Sequence, residues 1–427
     1  MLSKTTQSLS LVALLASSIQ PAAAAYDLIV SHAGSTFFDG FTFATGYDNT
    51  TNGDVFWKSD SNVAFVNDVG RVILKVDNVT DVPYNEKRNS VKLYSKNYYK
   101  PGTVWVMDAT HVPVGCSVWP ALFTQGTNWP EHGEIGKLLS SPRSPNPSLR
   151  DVVGVDIFEV VNNENANQYA LHTTAGCTAS VNQTLGQSGN TGSTSCDQNQ
   201  NSGSGCTVRD NNQASAGEGF NAAGGGVYVA AFELSGINIW FFSRDQVPSA
   251  LNVGSNSIDV SALGQPSASY SAGSCDIAKY FGSQQLTLDI TLCGDFAGGP
   301  SILSQTCPAL VAPQNCYTTY VLNSTNYDRA YFEINYLNVY GTSGSIDASL
   351  STGGGAMTTG RSSSTAAQPT TASRSGGVGS MSVTSTSTGA NGNTIATQTP
   401  VSSAVSGFKG VWVGAVGVVS VAVWSLL

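Results

Sequence analysis

The 427-residue chain reads as an all-β protein, an antiparallel β-sandwich or jelly roll with a C-terminal stalk. Two observations predict this fold. Short strand-like runs recur, bounded by Gly, Asn, Asp and Ser, and several alternate, as where Ile237, Ile239 and Phe241 oppose Asn238, Trp240 and Phe242. No amphipathic helix longer than a turn or two stands between them, so the βαβ pattern of a parallel sheet is missing.

Taken in order, residues 1–25 have the layout of a secretion signal. Lys4 supplies the charge, Leu9–Ile19 the apolar run, and Ala23-Ala24-Ala25 a small-residue cleavage site before Tyr26. The run is too short for a membrane anchor. Residues 26–341 form one domain, with strands expected at Arg71–Val76, Thr103–Asp108, Tyr169–Thr174, Val227–Leu234, Ile237–Arg244, Leu286–Cys293 and Ala330–Tyr340.

All eight cysteines (116, 177, 196, 206, 275, 293, 307 and 316) fall inside this domain. An even number in a secreted chain points to disulfides, though the spacing does not choose among pairings. Without a Cys-x-x-Cys pair, and with the His residues scattered, no metal site is expected. Sequons at Asn49, Asn78, Asn182 and Asn323 suit a glycosylated exterior.

From residue 342 to 407 the composition changes. Ser or Thr make up 29 of these 66 residues and no aromatic occurs, so a disordered, O-glycosylated stalk is expected rather than a second core. Residues 408–427 form an apolar tail, uncharged from Gly410 onward. An apolar end behind a polar spacer, with small residues at Gly389–Asn393 including Asn391, reads as a GPI-attachment signal rather than a membrane span. The expected location is the extracellular surface or cell wall.

A formal charge of −9 argues against nucleic acid or anionic lipid as a partner. Only 11% of residues are Asp, Glu, Lys or Arg, against a usual ~25%. That balance suits neutral, hydroxyl-rich polymers.

The chemistry concentrates in residues 132–163. Their two ends, HGEI and DIFEVVNN, look like halves of one strand pulled apart. Joined, they give Glu134-Ile135-Asp156-Ile157-Phe158-Glu159, a Glu-x-Asp-x-x-Glu string. On a regular strand Glu134 and Asp156 share a face and Glu159 points to the other. A β-bulge is therefore needed to bring Glu159 round. Three crowded acids repel, which should leave one carboxyl protonated. Both glutamates are expected to face a solvent-filled cleft.

The chain is similar to glycoside hydrolase family 16, in its fungal laminarinase-like branch. The resemblance rests on FFDGFTF (37–43), RNSVKLYSK (88–96), GCSVWPALFT (115–124), WPEHGEI (129–135), DIFEVVNN (156–163), YALHTTAGC (169–177), GFNAAGGGVYV (219–229), IWFFSRDQVPSAL (239–251) and AYFEINYLNVY (330–340). It implies a concanavalin A-like jelly roll and retaining endo-hydrolysis of β-1,3 or mixed β-1,3/1,4 glucan. By the same match Glu134 is the nucleophile, Glu159 the general acid/base and Asp156 the acid between them. Arg88, Trp119, Trp129 and His172 are the candidate substrate-binding residues. Trp119 and Trp129 each precede a proline in a loop-like stretch and are read as sugar-stacking platforms. Phe332 and Glu333, where relatives often carry Trp and Asp, are a conservative departure. The chemistry requires no cofactor, and a monomer is expected.

Gly136–Val155 departs from the pattern. Its twenty residues include Pro142, Pro145 and Pro147, which a central strand does not accommodate. The segment reads as a retained, translated intron. Two alternatives accompany the hydrolase reading: a cell-wall transglycosylase of the same family, and a catalytically dead glucan-binding surface protein.

Overall fold

The computed structural model describes residues 25–127, 154–180, 186–252 and 254–351. The signal segment, the tail, the sequon at Asn182, and both Trp129 and Glu134 lie outside the described residues.

Two large antiparallel sheets pack face to face, as the strand pattern predicts. The eight-stranded inner sheet carries the motif, and its strands are numbered here in chain order. They are β1 (Phe41–Phe43), β2 (Lys92–Tyr99), β3 (Val118–Gly126), β4 (Val155–Glu159), β5 (Gln168–Leu171), β6 (Asn190–Thr191), β7 (Cys206–Arg209) and β8 (Gln284–Leu292). They lie side by side in the order β6-β7-β5-β4-β3-β8-β2-β1. The second sheet has nine strands, including Thr103–His111, Gly226–Glu233, Gly236–Ser243 and Tyr331–Gly341. The expected strand runs are all found, with ends shifted by a few residues. The longest α-helix among the described residues is the seven-residue Pro300–Thr306.

Alternation sorts the inner sheet's side chains into two sets. Leu93, Leu122, Phe158, Leu288 and Ile290 enter the core. The Phe158 ring meets Tyr228 at 5.4 Å and Phe332 at 5.7 Å, joining the sheets through edge-to-face contacts. The partners of these residues along each strand point the other way, and there the polar groups gather. A smaller cluster on the far side of the second sheet, with Val227, Val229 and Trp240, is covered by Leu251, Ile258 and Leu263.

Four disulfides resolve the pairing left open by the spacing: Cys116–Cys307, Cys177–Cys275, Cys196–Cys206 and Cys293–Cys316. The domain runs past the expected end at Gly341. The Lys100 amide donates to the Ser345 carbonyl at 2.7 Å, and the Asp347 amide donates to Tyr98 at 2.8 Å. Ser283 also bonds the Asp347 carboxylate at 2.6 Å, so residues 342–351 belong to the fold rather than to the stalk.

Candidate active site

The bulge that the motif demands is present. Along β3, Ala121 pairs with Glu159, Leu122 with Phe158, and Phe123 with Asp156, leaving Ile157 as the extra residue. Ala121 and Phe123 lie on one face, so Glu159 and Asp156 do too. The buried Asn167 side chain staples the bulge: its Oδ1 accepts from the Glu159 amide at 2.9 Å, and its Nδ2 donates to the Ile157 carbonyl at 3.0 Å. Sequence reasoning missed Asn167, whose only signal is its place just beyond the strand.

The register extends across the sheet. Ala121 also pairs with Asp289 of β8, which pairs with Lys92 of β2, so Glu159, Asp289 and Lys92 share one row. Lys92 Nζ lies 3.0 Å from Asp289 Oδ2, and both side chains are buried. The rings of Trp57, Tyr94 and Phe123 surround the ammonium at 5.6, 5.7 and 5.5 Å. Neither Lys92 nor Asp289 was singled out from sequence.

Glu159 is 5% exposed and Asp156 is fully buried, so the expected solvent-filled cleft does not surround them. Trp119 is the reason at one end. It lies in β3 rather than a loop, is itself buried, and donates its indole N–H to Glu159 Oε1 at 2.8 Å. Phe296 closes on the indole edge-to-face at 5.5 Å. Trp119 thus orients a carboxyl, which corrects its assignment as an open sugar platform.

Electrostatics follow from this burial. Desolvation first, then the charge of Asp156, pushes the Glu159 carboxyl up to about 8, while the Trp119 hydrogen bond and His172 pull less strongly the other way. Burial, then Asp289, holds Asp156 well above the usual carboxylate range. Burial also raises Asp289, against the opposing pull of Lys92. At neutral pH this environment favours the protonated form of the Glu159 carboxyl. His172, two residues past Ala170 in the Asp156 row, brings Nε2 to 3.4 Å from Asp156 Oδ2.

Arg88 requires a correction. It is fully buried, and its guanidinium donates to the backbone carbonyls of Val321, Asp77 and Thr80, each at 2.7 Å. A side chain spent on three backbone carbonyls holds those segments together and does not line a cleft.

The N-terminal end of β4 is irregular. β3 continues to Gly126 against β8, but its pairing with β4 stops at Phe123. The Val155 amide turns instead to Thr124 Oγ1 at 2.9 Å. Gly154, two residues before Asp156, stands where the motif wants its first glutamate. A Cβ there would lie 0.6 Å from the Thr124 carbonyl oxygen, so no side chain fits.

A family model described as "XgeA-like, catalytic GH16 domain" matches residues 41–138 and 152–340. The match skips residues 139–151, inside the segment read as extraneous. A relative named as a probable endo-1,3(4)-beta-glucanase, from Aspergillus niger, is 35% identical over 79% of this chain and 43% of its own length. A relative named as a probable glycosidase, from Schizosaccharomyces pombe, is 33% identical over 74% of this chain and 69% of its own length. The chain spans about half the length of most curated relatives it matches. Among solved structures, a GH16 laminarinase from Phanerochaete chrysosporium, with β-glucans in donor and acceptor sites, is 30% identical. That alignment covers 74% of this chain and all of the other, at a TM-score of 0.64. A GH family 16 elongating β-1,3-glucosyltransferase is 32% identical over 74% of this chain and 99% of its own, at 0.63.

Proposed function

The chain belongs to glycoside hydrolase family 16, and from that membership we propose that its fold serves retaining endo-hydrolysis of β-1,3 or mixed β-1,3/1,4 glucan. The observation that carries the proposal is the buried Glu159 carboxyl, turned by the bulge onto the face of Asp156 and oriented by Trp119. Glu159 protonates the leaving oxygen while Glu134 attacks the anomeric carbon. Glu159 then returns as base for water, and Asp156 between them tunes the pair. Retention places the two glutamate carboxyls about 5–5.5 Å apart. Trp129 is carried as a substrate-side residue of the same proposal, whereas His172, buried beside Asp156, acts on that carboxyl rather than on an open cleft. No cofactor takes part.

This machinery belongs to a form lacking Gly136–Val155. Removing those residues brings Glu134 and Ile135 directly before Asp156, opposite the stretch of β3 that β4 leaves unpaired, where regular pairing would move the backbone off the path that admits only Gly154. The genetic code permits a sixty-nucleotide intron here. Gly-Lys can be written GGT-AAG, with a GTAAG donor, and Val-Asp as GTA-GAC, with a TAG acceptor. The bases left behind, G and AC, rejoin as the Asp codon GAC. The chain as printed then corresponds to the catalytically dead alternative, because its strand offers Gly154 at the nucleophile position.

The experiment compares the printed chain with the deletion variant on laminarin. The deletion variant should release reducing sugar with the β-anomer forming first by NMR. The printed chain should be slower by at least about a thousandfold, as expected when a nucleophile is lost. Equal rates would refute the intron reading, and so would mature mRNA that keeps the sixty bases. The likeness to a glucosyltransferase keeps a second reading, transfer of the glycosyl-enzyme to another sugar. Lengthened oligosaccharides in the product mixture would favour it. We also propose secretion and GPI tethering at the cell surface, supported by the four disulfides and the composition of the two ends.

A further inference from the structure

We infer that Lys92 and Asp289 are a positioning pair for the glucanase site, a buried ion pair whose balance sets the field in which Glu159 holds its proton. The inference rests on the reading of Glu159 as the proton donor. Its basis is the row across the inner sheet. Glu159, Ala121, Asp289 and Lys92 occupy adjacent strands at one level, so Asp289 lies two strand spacings from Glu159, about 10 Å. Both members of the pair are buried and in contact at 3.0 Å. Three aromatic rings close around the ammonium and hold it against Asp289.

Other groups share this environment. β4 contributes Asp156, the chain after β5 contributes His172, and β2 contributes Tyr94 beside Lys92. Asp48 accepts from Thr291 Oγ1 at 2.9 Å and acts on Lys92 and Asp289 through its charge. Tyr270 feels Asp156 from the neighbouring sheet. Among these, Lys92 is the permanent cation. A face carrying Asp48, Asp156, Glu159 and Asp289 would otherwise favour adding protons to all four. With Asp289 neutralised in place, the proton resides at Asp156 and Glu159, where the chemistry needs it. Burying a charge pair at this depth has little to recommend it for stability alone, since similarly shaped apolar residues do as well.

The test reads Glu159 directly, without turnover. Infrared difference spectra between each protein and its Glu159→Gln counterpart follow the protonated carboxyl through a pH titration. Asp289→Asn should lower the Glu159 midpoint by about one pH unit, and Lys92→Met should raise it by a similar amount. The double variant should return it to near the starting value. A purely structural pair would lower the melting temperature in both single variants and leave the midpoint unmoved, which would overturn the inference. If only one single variant folds, it carries the test, because the two shifts have opposite signs. If neither folds, the pair is structural and the inference fails. Because the readout needs no substrate, absence of glucan hydrolysis counts against the glucanase reading and leaves the result on the pair standing.

Discussion

Replacing Glu159 with Gln should make the protein more stable at pH 8 and change little at pH 4. The carboxyl is raised from 4.5 to about 8 by burial and by Asp156. The folded state therefore binds a proton more tightly than the unfolded chain, and stability is greatest where the group is protonated in both. As pH climbs from about 4.5 toward 8, the unfolded chain releases its proton first, and unfolding gains ground throughout that window. At 1.36 kcal/mol per pH unit the full interval costs the native state about 5 kcal/mol, and relaxation of the site around the charge reduces this to about 2–5 kcal/mol. Gln keeps the shape and still offers an oxygen to the Trp119 indole, so the hydrogen bond survives and only the titration is lost. Urea unfolding at pH 4, 6 and 8 measures the effect. Wild type should lose stability across the series, and Glu159→Gln should lose less, Asp156 accounting for the remainder. Identical pH slopes in the two proteins would show that Glu159 does not titrate upward and would remove the basis for calling it the proton donor.

Three further outcomes are expected. Asn167→Ala removes both hydrogen bonds that staple the bulge and should cost about 2–4 kcal/mol in chemical denaturation, with Asn167→Asp recovering less than half because a carboxylate cannot donate to Ile157. Phe158→Ala, at the seam between the sheets, should cost about 3–5 kcal/mol, readable as a lower urea midpoint. A GPI-specific phospholipase should release the protein from cell membranes into solution, and retention in the membrane fraction after confirmed cleavage would favour a spanning helix.

The fold was legible because strand alternation and turn residues are local signals. Ile237–Arg244 announced its strand, and the observed Gly236–Ser243 differs by one residue at each end. The bulge was legible too, since with four residues between them in the joined motif Glu134 and Glu159 cannot share a face otherwise. Other features depend on which strands become neighbours, and no local pattern states that. Lys92 and Asp289 are nearly two hundred residues apart and meet only because β2 and β8 pair. Asn167 matters because the chain returns past the bulge on its way into β5. Arg88 was misplaced for a related reason: its motif segment is shared with cleft-lining residues, but its own side chain alternates inward and is taken up by backbone carbonyls. Trp119 was read as a loop residue because Pro120 follows it. Pro120 sits within the strand, opposite Ile290, where its missing N–H is tolerated just short of the β4 pairing.

The packing of residues 342–351 bears on how a leashed enzyme would meet its polymer. Ser351 ends the described chain, with its hydroxyl accepting from the Tyr98 amide at 3.0 Å. Tyr98 lies six residues along β2 from Lys92, about 20 Å of strand. A tether would therefore pull on the sheet at the Gln125–Gly126 side, where β8 begins with Gln284. The opposite strand ends, where Trp119 and Phe296 close over Glu159, carry none of that load. Were the proposed anchor to follow Ser351, it would leave the fold about 20 Å along the strands from the row that holds Glu159, so that pull and chemistry would act on different ends of one sheet.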